Sequence, residues 1–182
     1  MVMKRYADDY ENIITTDENG NEKKVPVYRG KYYQVSLDAE GLARYKKNIL
    51  LVLAAILVFH IAAGFVGNPG MYRLYVALPY VIALAPLYNA ATGVLRVPRE
   101  VRKYRRDEVG LSFERIKTAV FFLTGVLAAG LLGEIIFLLT STTEAGRGLE
   151  YIYLSLESLA VGATFFAIQL QKNARVQVCA GE

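Results

Sequence analysis

Apolar positions in this chain gather into four long blocks, 48–66, 74–97, 118–140 and 151–170, with polar residues filling the connections. Each block is close to the ~20 residues that cross a hydrocarbon layer of about 30 Å at 1.5 Å rise per residue. One such block can be the core helix of a soluble protein. Four, joined by short connections, predict an all-α integral membrane protein: a four-helix transmembrane bundle over residues 38–172.

The first 37 residues follow a different pattern. Pieces rich in β-formers cover 10–16, 24–28 and 31–37, and Asn19-Gly20 is a tight-turn signal because both residues tolerate positive φ. They predict a small N-terminal cytoplasmic β-meander, with a disordered arm as the alternative. Three short strands are marginal alone, so the arm is expected to lean on the membrane surface, the basic loop or a partner. Ser36 or Asp38 is placed to cap a helix that enters the first span from the cytoplasm. Ser112 is placed similarly before the third span. Residues 173–182 form a short tail.

Charge sets the expected orientation. Basic residues crowd the segment before the first span and the loop between spans two and three, where Arg96, Arg99, Arg102, Lys103, Arg105 and Arg106 lie close together. The other two connections hold only Arg73 and Arg147. Short basic loops stay cytoplasmic, so both termini and the middle loop are expected inside. The net charge of +4 then reflects topology and contact with anionic headgroups rather than nucleic acid. The 96–106 stretch reads as an ordinary positive-inside loop, with a helix lying along the headgroups as the alternative. A polar N-terminal segment without a small-residue cleavage site predicts no signal peptide, and the short loops suit a bacterial inner membrane. The single cysteine, Cys179, leaves no intrachain disulfide, CxxC redox pair or multi-cysteine metal site.

The chemistry inside the spans is sparse. Glu134 lies six residues before the end of its block, about 9 Å into the layer, and Glu157 and His60 fall about 10 Å from the same side. An ionisable side chain facing lipid costs roughly 2.5–3.5 kcal/mol at the centre, so the three are expected to turn inward and meet. Tyr75 and Tyr80 on the second span fall near that depth. A His beside two Glu can pass protons, bind a divalent metal, or simply fix helix register. No HExxH or ExxH spacing supports the metal use.

Packing signals accompany them. Gly125, Ala129 and Gly133 form a small-residue stripe on the third span, Ser158 and Gly162 sit on the fourth, and Gly64 on the first. Such stripes are expected to pack within the chain, with a homo-oligomer seam as the alternative. Pro79 and Pro86 in the second span each free a carbonyl four residues back, giving a kink or a cavity-lining break. Asn89 on the same span is a candidate interhelical hydrogen-bond donor.

No nucleotide, haem or flavin motif and no nucleophilic triad is present, so no cofactor is expected. Three function classes remain. The first is an accessory or interaction subunit with a cytoplasmic docking face for a protein partner. The second is a proton- or ion-coupled transporter or channel that uses His60, Glu134 and Glu157. The third is a membrane-embedded enzyme acting on a lipid or quinone.

Overall fold

The structure, a computed structural model, describes residues 4–16, 22–141 and 146–179. Four long helices form the bundle: α1 (Ala39–Gly64), α2 (Leu74–Leu95), α3 (Arg106–Thr140) and α4 (Arg147–Asn173). All four are long and apolar enough to cross a membrane. The protein is an integral multi-pass membrane protein with four candidate spans. Side chains such as Leu51, Val58, Val81, Phe121, Phe122 and Leu139 point outward and are more than half exposed. That much apolar surface in water would invite aggregation, whereas lipid tails solvate it without penalty. The core between the helices holds Leu53, Ile56, Leu87, Ile116, Leu123 and Leu127.

Chain-adjacent helices are spatial neighbours, and α1 closes the ring against α4. The helices extend past the apolar blocks at several ends. Asp38 caps α1, its Oδ1 accepting the Gly41 N–H at 2.7 Å. Ser36 instead accepts from the Arg175 N–H at 3.2 Å, tying the start of α1 to the tail. Ser112 caps nothing: it sits inside a π turn, Gly110–Glu114, near the start of α3, and its hydroxyl donates to the Glu108 carbonyl at 2.6 Å. The residue that satisfies the start of α3 is Glu108, whose carboxylate accepts the Arg105 N–H at 2.9 Å.

The N-terminal segment is a hairpin rather than a three-stranded meander. Strand β1 (Tyr10–Thr16) pairs antiparallel with β2 (Glu22–Tyr28), while the expected Asn19-Gly20 turn lies outside the described residues. The third piece, β3 (Tyr33–Val35), leaves the hairpin and pairs with β4 (Val176–Val178) in the C-terminal tail. On its other side, Tyr33 exchanges two backbone hydrogen bonds with Tyr104. The hairpin is rooted on the start of α3: the Tyr28 hydroxyl accepts the Arg106 N–H at 3.0 Å and donates to the Lys31 carbonyl at 2.6 Å. Burial pushes the Tyr28 pKa up, which keeps it a donor. The arm, the middle loop and the tail therefore meet at one end of the bundle, the hairpin end.

Helix α2 is continuous through Pro79 and Pro86. Pro79 has no N–H to offer the Tyr75 carbonyl. That carbonyl lies against Gly133 of α3, so closely that a Cβ on Gly133 would collide with it. Gly130 meets the Pro79 ring. The missing side chains let α3 close over the backbone that proline leaves open. Gly125 and Ala129, by contrast, face outward, as do Ser158 and Gly162, so the four-residue stripes are not the packing seam. Gly133→Ala is expected to destabilise the bundle by about 1–3 kcal/mol, and Gly125→Ala to be neutral or slightly stabilising, within about 1 kcal/mol. Reversible unfolding in mixed detergent micelles reads both; equal effects would refute the seam.

Candidate functional site

The far end of the bundle, opposite the hairpin, holds a buried polar cluster in two parts. In the first, His60 of α1 bridges α4 and α2. Its Nδ1 lies 2.8 Å from Glu157 Oε1, and its Nε2 lies 3.0 Å from the Tyr80 carbonyl oxygen. The Tyr80 ring stacks on the imidazole with centroids 4.1 Å apart, and its hydroxyl donates to the His60 carbonyl at 3.1 Å. The hydroxyl passes over Gly64, where any Cβ would block it. His60 is 1% exposed and Glu157 3%.

The proton count of this pair follows from its partners. A carbonyl oxygen only accepts, so Nε2 must carry a hydrogen. Nδ1 and the carboxyl oxygen then share one proton, whichever of them holds it. Imidazolium with carboxylate and imidazole with carboxylic acid are both neutral overall, which is what a low-dielectric interior tolerates.

The second part joins Glu134 of α3 to Glu150, in the first turn of α4. The Asn68 amide reaches both, with Nδ2 2.7 Å from Glu150 Oε2 and 3.4 Å from Glu134 Oε2. Glu150 Oε1 accepts the Gly70 N–H at 2.8 Å. Asn68 thus bridges the two carboxyl groups, and the Gly70 backbone lies against both. Glu150 stands in the first turn of α4, where the helix dipole and the Gly70 N–H favour a carboxylate. Glu134 and Asn68 are each 0% exposed, and Glu134 Oε1 and Asn68 Oδ1 are buried without a hydrogen-bond partner.

The α1–α2 connection makes this second part by folding inward. Gly67 turns the chain at φ 65°, Asn68 starts a short 3-10 turn (Pro69–Tyr72), and Gly70 lies against both carboxylates with no room for a Cβ. Tyr153, 1% exposed, stands between the two parts on α4. Glu150, Tyr153 and Glu157 are spaced three and four apart, so they line one helix face. A cavity of about 220 Å³, lined by Pro69, Tyr72, Arg73, Phe137 and Arg147 among others, opens beside Glu150.

Of the residues singled out from sequence, His60, Glu157 and Tyr80 come together. Glu134 is inward and buried, but its hydrogen-bond partner is Asn68, which also bonds Glu150. Tyr75 is 44% exposed and faces outward. Asn68, Glu150 and Tyr153 were not singled out; the three-and-four spacing of 150, 153 and 157 was the available signal. Pro86 borders a groove of about 540 Å³ between α2 and α3, where Asn89 Oδ1 accepts from Arg115 at 3.2 Å, as acceptor rather than donor. Arg96, Arg99, Arg102, Lys103, Arg105 and Arg106 are all exposed at the hairpin end. There Arg102 pairs with Glu108, Arg106 lies 3.6 Å from Asp9, and Arg105 sits over the Tyr28 ring. The loop before Arg106 is not helical. Among the described residues no group of three or more His, Cys, Asp or Glu is placed to hold a metal ion.

Comparison of the chain with known protein families, with curated proteins and with solved structures finds no match to any of them.

The two-part arrangement has an energetic signature. His60→Ala is expected to cost about 3–5 kcal/mol by stranding Glu157, and His60→Leu with Glu157→Leu to recover most of it. A double-mutant cycle between His60 and Glu157 should show strong coupling, and one between His60 and Glu134 at most about 0.5 kcal/mol. Strong His60–Glu134 coupling would refute the division.

Proposed function

We propose that the protein exchanges protons at the far end of the bundle through this cluster, and that the exchange drives transport across the bilayer. One observation carries the reading: two buried polar groupings, His60 with Glu157 and the Asn68-bridged Glu134 and Glu150, sit on either side of Tyr153 along one face of α4. The opening beside Glu150 gives the outer pair access to solvent. Orphaned oxygens on Glu134 and Asn68 leave room for a further proton or a rearranged one. On the positive-inside reading of the sequence, this end lies on the non-cytoplasmic side.

Beyond His60 the interior is apolar, with Leu53, Ile56, Ala83 and Leu123 closing the way. Passage to the other face requires α2 to move. Pro79 and Pro86 leave it two weak turns, and the groove beside Pro86 leaves it space.

Purified protein in liposomes carrying an internal pH dye should take up protons under an imposed inside-negative potential. Glu134→Gln and Glu157→Gln should each reduce uptake to the level of empty liposomes, while Arg99→Gln should not. Absence of uptake by folded protein, or full uptake by both glutamine variants, rules the proposal out.

A second reading, an accessory subunit that docks a protein partner, is favoured by the hairpin. Its cross-strand neighbours Ile13 and Val25 are 38% and 37% exposed, and Ile14 is 58% exposed, at an edge rooted only at its base. A partner cross-linked to the hairpin in native membranes should be lost in Ile13→Lys with Val25→Lys. Retention of the same partner by that variant counts against docking at this face.

A further inference from the structure

A second cavity, of about 1070 Å³, lies between α3 and α4 at the hairpin end. Three of its lining residues are cations: Lys117, Lys172 and Arg175. They face one carboxylate, Glu114. The cavity wall also includes Gln171, whose Nε2 is buried without a hydrogen-bond partner and is a donor awaiting an acceptor. Four residues along each helix from Lys117 and Lys172, about 6 Å deeper, stand Phe121 and Ile168, which line the same cavity. Phe121 is 72% exposed.

The position along the helices matters. The apolar stretch of α3 begins at residue 118 and that of α4 ends at 170, so the cations lie just outside the hydrocarbon and the two apolar side chains just inside it. A ligand that satisfies the whole cavity is therefore charged at one end and apolar at the other, aligned with the bilayer normal. A soluble anion would meet the cations and leave Phe121 and Ile168 uncovered.

We propose that this cleft is a binding site for one anionic phospholipid. Its phosphate is held by Lys117, Lys172 and Arg175 with Gln171 Nε2 as a further donor, and an acyl chain lies along Phe121 and Ile168. This differs from the diffuse attraction of headgroups to the 96–106 loop, because the cations here border a cavity with an apolar floor. The site also spans α3, α4 and the tail that pairs with β3, to which Arg175 belongs.

Native mass spectrometry of the full chain in detergent tests the site, with dioleoylphosphatidylglycerol and dioleoylphosphatidylcholine as probes. One phosphatidylglycerol per protomer should be retained in preference to phosphatidylcholine. Lys117→Gln, Lys172→Gln and Arg175→Gln should each weaken retention about fivefold. The three cations are exposed, so these variants are expected to fold. A stricter control, Arg96→Gln with Arg99→Gln and Lys103→Gln, removes three times the charge of any one of these variants from the same end and should leave retention unchanged. Equal loss in the control would show surface charge without a site. Equal retention of the two lipids would also overturn the proposal. Displacement by millimolar inorganic phosphate would identify a free-anion site instead.

Discussion

Hydrocarbon accepts no unpaired charge, and that constraint organises the far half of this bundle. Four ionisable side chains enter the layer from three helices, and none faces lipid. Each must find a partner inside, and the partners available are one another. His60 with Glu157 fastens α1 to α4, and the Tyr80 carbonyl brings α2 to the same ring. Asn68 bridges Glu134 of α3 and Glu150 of α4 and, with Gly70, draws the α1–α2 connection in. All four helices are thus registered by polar contacts at two levels about 10 Å apart along α4, where apolar packing alone is indifferent to axial sliding.

The same rule applied to the backbone explains the α2–α3 seam. Pro79 leaves a carbonyl that neither lipid nor water can satisfy in this layer. Gly133 brings the α3 backbone directly against it. A proline on one helix and a glycine on the next therefore form one feature. Gly93 is used in a related way, letting α2 approach the π turn of α3 at Ile116 and Ser112. Glu134 adjoins Gly133, so the close approach that seals the backbone also buries the carboxylate.

What could be read from the sequence follows what sequence encodes locally. Span length and the shared depth of His60 and Glu157 depend only on residue counts along straight helices, and the structure places those two in contact. Glu150 sat at the edge of an apolar block and read as a boundary; its burial depends on the 65–73 connection folding inward, which residue counting does not reveal. The pairing of β3 with β4 joins residues about 140 positions apart, and strand pattern names no partner. The Gly125–Ala129–Gly133 stripe packs only through Gly133, because four-residue spacing fixes a face without saying where along it a neighbour is met. Ser112 looked like a cap because the π turn absorbs it into a helix that starts six residues earlier.

The two ends of the molecule are built on opposite electrostatic plans. At the far end the polar groups are buried and mostly bonded to one another, with an opening beside Glu150. At the hairpin end the cations are exposed, many in number and set in flexible side chains, suited to holding anions that arrive from outside. Between them lies an apolar core with two prolines on one side of it. A change of charge at the far end would alter how tightly His60 holds the Tyr80 carbonyl, and Tyr80 sits on the turn next to Pro79. On the proposed proton exchange, protonation there and the shape of α2 are linked through the His60–Tyr80 contacts, and the groove beside Pro86, about 9 Å nearer the hairpin, is where a shift of α2 would be felt.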